Sequence, residues 1–276
     1  MRPTVLLSTA AVLPLLISAP AHAERIPLAA HRAIYELALD PGKASSRVDT
    51  ARGRIAFEMS GNACEGYSVS LRQVTELDTG EGKQTTSDLR STTWEGGDAK
   101  TFRFKNQNYV NRELRDDVDG SADKSTDGGL SIKLAKPKAA MKIDGPVLLP
   151  TEQLSKILDI GEAGEHLLAA KVYDGSPDGK KVYETLSVIG GAISGSGKEL
   201  EEAARAEPLT SLKRFPVTVS YFDPGENAGE RTPAYTLTFE LYQNGVSRAL
   251  KLDYGNFALR GDLKSVEFLK MAPCKK

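Results

Sequence analysis

The feature that most constrains this chain is a two-residue alternation of apolar and polar side chains, repeated along its length. The first half carries it in "RAIYELAL" (32–39), "RIAFEMS" (54–60), "YSVSLRQVTEL" (67–77), "TFRFKN" (101–106) and "LSIKLA" (130–135). The second half carries it in "KVYETLSVI" (181–189), "VTVSYF" (217–222), "AYTLTFELY" (234–242), "SRALKLDY" (247–254) and "SVEFLKM" (265–271). Successive side chains of an extended strand point to opposite faces, so this period predicts strands with one face buried and one in water. Many short strands separated by turn residues fold as an antiparallel sandwich, a barrel or a rolled sheet. Asn244-Gly245, between two such runs, predicts a two-residue type I′ hairpin turn. Asp174-Gly175 and Asp178-Gly179 mark a second turn region, and "DPGENAGERTP" (223–233) a longer surface loop.

Helix signals are sparse. "TEQLSKILDIGEAGEHL" (151–167) follows Pro150, with Thr151 as the predicted N-cap and Leu154, Ile157 and Leu158 on one face. Such an amphipathic helix plugs or flanks a curled sheet; the alternative is a surface helix that binds a partner. A second short helix is predicted over "KELEEAARAE" (198–207), with Ser196 and Glu199 as its capping box and Pro208 as its stop.

That capping box overlaps "GGAISGSGKEL" (190–200), which resembles a phosphate-binding loop. The loop motif is G-x-x-x-x-G-K-[ST], and here its first glycine is Ala192 and its magnesium-binding hydroxyl is Glu199. A carboxylate stands where phosphate would sit. "GEGKQTTS" (80–87) fails at the same two places, with Leu77 and Gln84. No nucleotide and no other cofactor is expected.

Residues 1–23 read as a secretory signal: Arg2, the apolar run "TVLLSTAAVLPLLISA", and Ala21-His22-Ala23 before Glu24. Cleavage after Ala23 would leave 24–276 as a single β-rich domain in the periplasm; the alternative is an uncleaved anchor. No later run is apolar enough to span a bilayer. Cys64 and Cys274, the two cysteines of the chain, both lie beyond the cleavage site. An even pair in an oxidising compartment reads as one disulfide, the alternative being two buried free thiols. Closing so long a loop stabilises by about 5 kcal/mol at most on chain-entropy grounds.

Lysine and arginine total 36 against 37 aspartates and glutamates, a net charge of -1 with the signs interspersed, which disfavours nucleic acid. The runs "RDDVDG" (115–120) and "ELEEA" (199–203) read as solvated loop or helix faces. The catalytic inventory is thin. His22 leaves with the signal, so His31 and His166 alone remain, each read as a packing residue rather than a base or a ligand. There is no H-E-x-x-H and no G-x-S-x-G. Trp94, the one tryptophan, is a core or rim residue or, alternatively, a stacking platform for a ligand. Neither a catalytic nor a metal residue is assigned.

Several stretches together resemble one family: "ARGRIAFEMSGNACEGYSVSLRQVTEL" (51–77), "DLRSTTWEGGDAKTFRF" (88–104), "VYDGSPDGKKVYET" (172–185), "VSYFD" (219–223) and "YTLTFELYQNGVSRALKLDYGNFALRGDL" (235–263). They are similar to the cell-envelope integrity protein EipB family, and the contexts "ACEGY" and "APCKK" match as well. The resemblance implies a mostly β periplasmic protein of Gram-negative bacteria, a single curled, spiral-like antiparallel sheet (a broken barrel) with one or two short α-helices. It also implies one disulfide, with Cys64 and Cys274 in the place of the bridging cysteines, and a role in maintaining the envelope barrier without established catalytic residues.

Together these readings predict a non-catalytic periplasmic scaffold that binds a protein partner of the envelope. The alternatives are a carrier or chaperone for lipid or lipoprotein that uses a concave β face and, third, a cell-wall hydrolase.

Overall fold

The computed structural model describes residues 26–43, 48–80, 83–195, 197, 199–225, 231–271 and 274. The predicted leader (1–23) and the Ser196 capping box lie outside them. The strands are β1 (His31–Leu39), β2 (Thr50–Asn62), β3 (Gly66–Asp78), β4 (Gln84–Glu95), β5 (Thr101–Val110), β6 (Glu113–Lys124), β7 (Leu130–Lys136) and β8 (Ala139–Ile143). After helix α1 (Pro150–Glu162) come β9 (Leu167–Val172), β10 (Tyr183–Ile189), β11 (Arg214–Phe222), β12 (Tyr235–Tyr242), β13 (Ser247–Asp253) and β14 (Ala258–Phe268). All are joined in one 14-stranded sheet of order β8-β7-β6-β5-β4-β3-β2-β1-β14-β13-β12-β11-β10-β9. Every neighbouring pair is antiparallel.

The chain starts in the middle of this sheet, winds out to the edge strand β8, crosses through α1 to the other edge, β9, and winds back to β14. Strand twist and the register shifts at Ile34/Tyr35, Asn108/Tyr109, Asp119/Gly120 and Thr238/Glu240 curl the sheet. The two edges do not pair as strands. The segment before α1 instead ties the β6–β7 turn to the edge strand β9: the Val147 amide donates to Gly128 O at 3.0 Å, and the Leu148 amide to Lys171 O at 2.8 Å. The result is a barrel-like roll rather than a sandwich.

Three apolar clusters fill the roll. Ile157 and Leu158 of α1 pack with Phe215, Val217 and Phe239 from β11 and β12. Phe102, Phe104 and Val118 of β5 and β6 pack with Leu149 and Tyr173. Tyr35, Leu252 and Leu263 pack with Leu200, Ala204 and Leu209. The turn predicted around Asp174-Gly175 dips inward, not outward. Gly175 has φ +76°, and a Cβ there would lie 2.4 Å from the Phe104 ring, so the loop after β9 fits because this position lacks a side chain.

The helix predictions need correction at their ends. Leu149, not Thr151, is the N-cap of α1, with Pro150 in the first helical position. The helix stops at Glu162, and Leu167, read as its last residue, begins β9. The helix predicted over 198–207 shrinks to a single 3-10 turn, Glu202–Arg205. Glu201 is drawn away from it to the sheet, where it accepts Arg248 Nε at 2.6 Å. The run at 115–120 is neither loop nor helix but strand β6, with Asp117 and Asp119 on the outer face and Val118 buried.

The β12–β13 hairpin also departs from the type I′ prediction, which requires positive φ at both central residues. Of Asn244 and Gly245, only Gly245 is left-handed, at φ 86°. The Tyr242 amide donates to Val246 O and the Gly245 amide to Tyr242 O, a three-residue loop made of a type I turn and a G1 bulge. Positive φ at two successive residues occurs instead at Asn111 and Arg112, between β5 and β6.

Candidate functional site

Helix α1 begins at a largely buried junction, between the buried Leu149 and Thr151, and Leu149 has no side chain to satisfy its first amides. Glu95, the last residue of β4, supplies the acceptor. Its Oε2 receives the Thr151 amide at 2.7 Å and its Oε1 the Glu152 amide at 2.8 Å. Burial pushes the Glu95 carboxyl up to about 7 against the pull of these two amides, and the nearby Glu152 carboxylate adds to the rise. Glu152 reaches back to the Leu149 amide at 3.2 Å and pairs with Lys124 at the end of β6. Further along, Gln153 Nε2 donates to Thr185 Oγ1 at 3.3 Å, so the helix is held by β4, β6 and β10.

The cysteines sit beside this junction. Cys64 lies in the β2–β3 turn, whose shape is set by Asn62 Oδ1 accepting the amides of Cys64 and Glu65, each at 2.9 Å. Gly97, two residues after Glu95, presses on that turn: a Cβ there would lie 2.2 Å from Ala63 O. The structure joins Cys64 to Cys274 with their Cα atoms 5.7 Å apart. The bridge therefore straps the C-terminus, after β14, across β1 to the tip of the β2–β3 hairpin.

The outer face of β9 and β10 is a second unusual feature. Leu167 pairs with Val188, and Ala169 with Leu186. Leu167, Leu186 and Val188 are 62%, 39% and 46% exposed. In the same strand Thr185 and Ser187 are buried, and Ser187 Oγ has no hydrogen-bond partner among the described residues. The alternation in "TLSV" (185–188) is thus seated in reverse, with hydroxyls inward and aliphatic side chains outward. A one-residue shift would exchange the two sets, so the register is holding them there. His166 fixes that register, because the Ile189 amide donates to His166 O at 2.8 Å and His166 Nδ1 donates to Ile189 O at 2.9 Å. Next to the aliphatic patch, Thr218, Ser220, Thr236 and Thr238 form a hydroxyl ladder on β11 and β12.

The remaining sequence candidates are distributed. His31 is buried, its Nδ1 donating to Ala29 O at 2.8 Å and its ring packed on Phe57; burial lowers its pKa. Trp94 lies half-buried on the outer face of β4 under the Arg103 guanidinium, so it is a rim residue rather than a core one. Glu199 of the glycine-rich loop points toward Arg214, 3.7 Å away. No cluster of metal-ligating side chains occurs among the described residues. Sequence reasoning missed Glu95, because the inner face of β4 alternates threonine, serine and leucine and offers no apolar pattern. It also missed the β9–β10 patch, although a strand with aliphatic residues in both phases was the available signal.

The EipB-like family model matches residues 22–270. The cell envelope integrity protein EipB of Brucella abortus (strain 2308) is 35% identical over 246 residues, 89% of this chain and 86% of that protein. The crystal structure of a β-barrel-like protein from Brucella abortus, a domain of unknown function, superposes with a TM-score of 0.80 at 34% identity. It covers 89% of this chain and 100% of its own. The matched residues 22–270 include the strands next to both cysteines, the α1 junction and the β9–β10 edge, and the chain belongs to the EipB-like family.

Proposed function

We propose that this protein is an exported, non-catalytic β scaffold of the periplasm that supports cell-envelope integrity by docking a protein partner on the outer face of β9 and β10. The observation that carries the reading is the reversed seating of β10, which exposes Leu186 and Val188 beside Leu167 while burying Thr185 and Ser187. Aliphatic side chains clustered on the exposed face of a sheet, here on the edge strand β9 and its neighbour β10, mark an interaction site. Family membership supports the envelope role, since the Brucella relative is named for it. The disulfide fits an oxidising compartment, and no helix among the described residues is long and apolar enough to cross a membrane. A carrier of lipid or lipoprotein would need a continuous apolar cavity on the concave side; the packing of Ile157 and Leu158 of α1 there against Phe215 and Leu241 favours the scaffold instead.

Complementation of a deletion strain tests this function. Loss of the gene is expected to raise sensitivity to detergents and cell-wall antibiotics. Wild type should restore resistance, and a Leu186→Asp/Val188→Asp variant should not, although both positions are exposed and each change should move stability by only about 0.5 kcal/mol. Full rescue by a folded, exported double variant would remove the docking face from the account.

A further inference from the structure

Two clefts of similar size open on the outer face of the sheet, and their charges are organised differently. The first, about 580 Å³, crosses β1–β3 and contains Arg52, Arg54 and Arg72. Each of these has a carboxylate: Arg52 pairs with Glu76 at 2.7 Å, Arg54 with Glu36 at 3.6 Å, and Arg72 with Asp88 at 2.9 Å. Every arginine of that cleft is thus ion-paired, Arg72 through an Asp88 that it shares with Arg90.

The second, about 590 Å³, runs across β3–β7. Its floor is the row Thr93, Phe104, Gly120 and Leu134, paired rung by rung, with Phe104 and Leu134 directing their side chains into the core on the other side. Its walls carry Arg103, Lys105 and Lys133, the hydroxyls of Ser68, Thr92 and Ser121, and the Trp94 indole. Asp119 is the one carboxylate lining it. Among the described residues Arg103, Lys105 and Lys133 form no ion pair, whereas Lys124 and Lys136 on either side of Lys133 both do. Arg103 is held over the indole, 5.2 Å from its centroid, which fixes the guanidinium without neutralising it.

We infer that the β3–β7 cleft binds an anionic saccharide, its ring resting on the exposed part of Trp94 and its carboxylate or phosphate held by Arg103, Lys105 and Lys133. Three cations against one lining carboxylate, Asp119 opposite Lys105, leave the cleft net positive, which favours an anion. Serine and threonine hydroxyls both donate and accept, which suits a polyhydroxylated chain, and an indole face packs on the apolar face of a sugar ring. This site is separate from the β9–β10 face and does not depend on it.

Trp94 is the single tryptophan of the sequence, so its emission reports on this cleft alone. The mature protein is titrated with tetragalacturonate, with uncharged chitotetraose, with inorganic phosphate and with phosphatidylglycerol vesicles. Tetragalacturonate is expected to change the emission saturably, with affinity falling as salt rises. An Arg103→Gln/Lys133→Gln variant should weaken it by about tenfold or more, while Arg52→Gln/Arg54→Gln in the other cleft changes it by less than about twofold. Calorimetry on Trp94→Leu, which lacks the fluorescent reporter, should show weakened binding as well. The inference is overturned by no saturable response to tetragalacturonate, by an equal response to chitotetraose or phosphate, or by a response to vesicles alone. Equal losses in the two arginine variants would overturn it too.

Discussion

Glu95 accepts the Thr151 amide at 2.7 Å, so the residue that caps α1 comes from a strand 56 positions earlier in the chain. The residue preceding the helix, Leu149, has nothing to offer its free amides. This contact locks the crossover between the two edges of the sheet to β4. Beside it lies the β2–β3 turn that holds Cys64, so one junction fixes the helix, the hairpin tip and the C-terminus together.

Removing that acceptor should be costly. Glu95→Ala leaves two amides at a buried helix end without partners and opens a void, an expected loss of about 2–4 kcal/mol. At roughly 2–4 °C per kcal/mol for a chain of this size, the melting temperature should fall by about 5–15 °C. Hydrogen exchange resolves the cause: the amides of Thr151 and Glu152 should lose protection well before those of β11 and β12.

The same carboxyl makes stability depend on pH, with a definite sign. Burial raises Glu95 to about 7 in the folded protein, from an ordinary value of 4.5. Between these values the folded state keeps a proton that the unfolded chain has released, so stability from this group falls as pH rises from 4.5 to 7. The full swing is of order 3 kcal/mol. Glu95→Gln carries no titrating proton, so it should flatten the pH profile; its Oε1 accepts one of the two amides but its Nε2 only donates, so it should be less stable than wild type near pH 5 by about 1–3 kcal/mol. Denaturant unfolding across that range checks it; a variant as pH-sensitive as wild type would assign the dependence to other groups.

We expect the Cys64–Cys274 bridge to serve stability rather than redox chemistry. The two residues are 210 positions apart and form no C-x-x-C motif. Replacing either by serine should cost about 2–5 kcal/mol, with the variant still folding at low temperature. Intact-mass measurement of periplasmic protein under thiol alkylation decides whether the bridge forms in the cell. Two alkylated cysteines before reduction would mean that it does not.

Much of the sheet was legible because strands with an apolar inner face announce themselves. Strands β1, β2, β3, β5, β7 and β10–β14 all contain alternating runs. Strands β4 and β6 were hidden for a physical reason: their inner faces carry Ser91, Thr93, Gly120 and Ala122, small or polar residues that break the apolar alternation. The family resemblance narrowed the choice of fold to a curled sheet, which alternation alone left open. The α1 cap was beyond sequence reasoning because its acceptor is remote in the chain, and local rules look for it at the position next to the helix. The outward seating of Leu186 and Val188 was likewise hidden, since period two specifies two faces but not which one meets solvent.

The central claim is that the outer face of β9 and β10 docks a protein partner, and site-specific photo-crosslinking in living cells tests it most directly. A photoreactive residue placed at Val188, exposed beside Leu167, should yield a discrete crosslinked band containing one envelope protein. The same residue at Arg52, on the outer face of β2, should yield none. Absence of a Val188-dependent product in cells that contain folded, exported protein, or identical products from both positions, would contradict the claim.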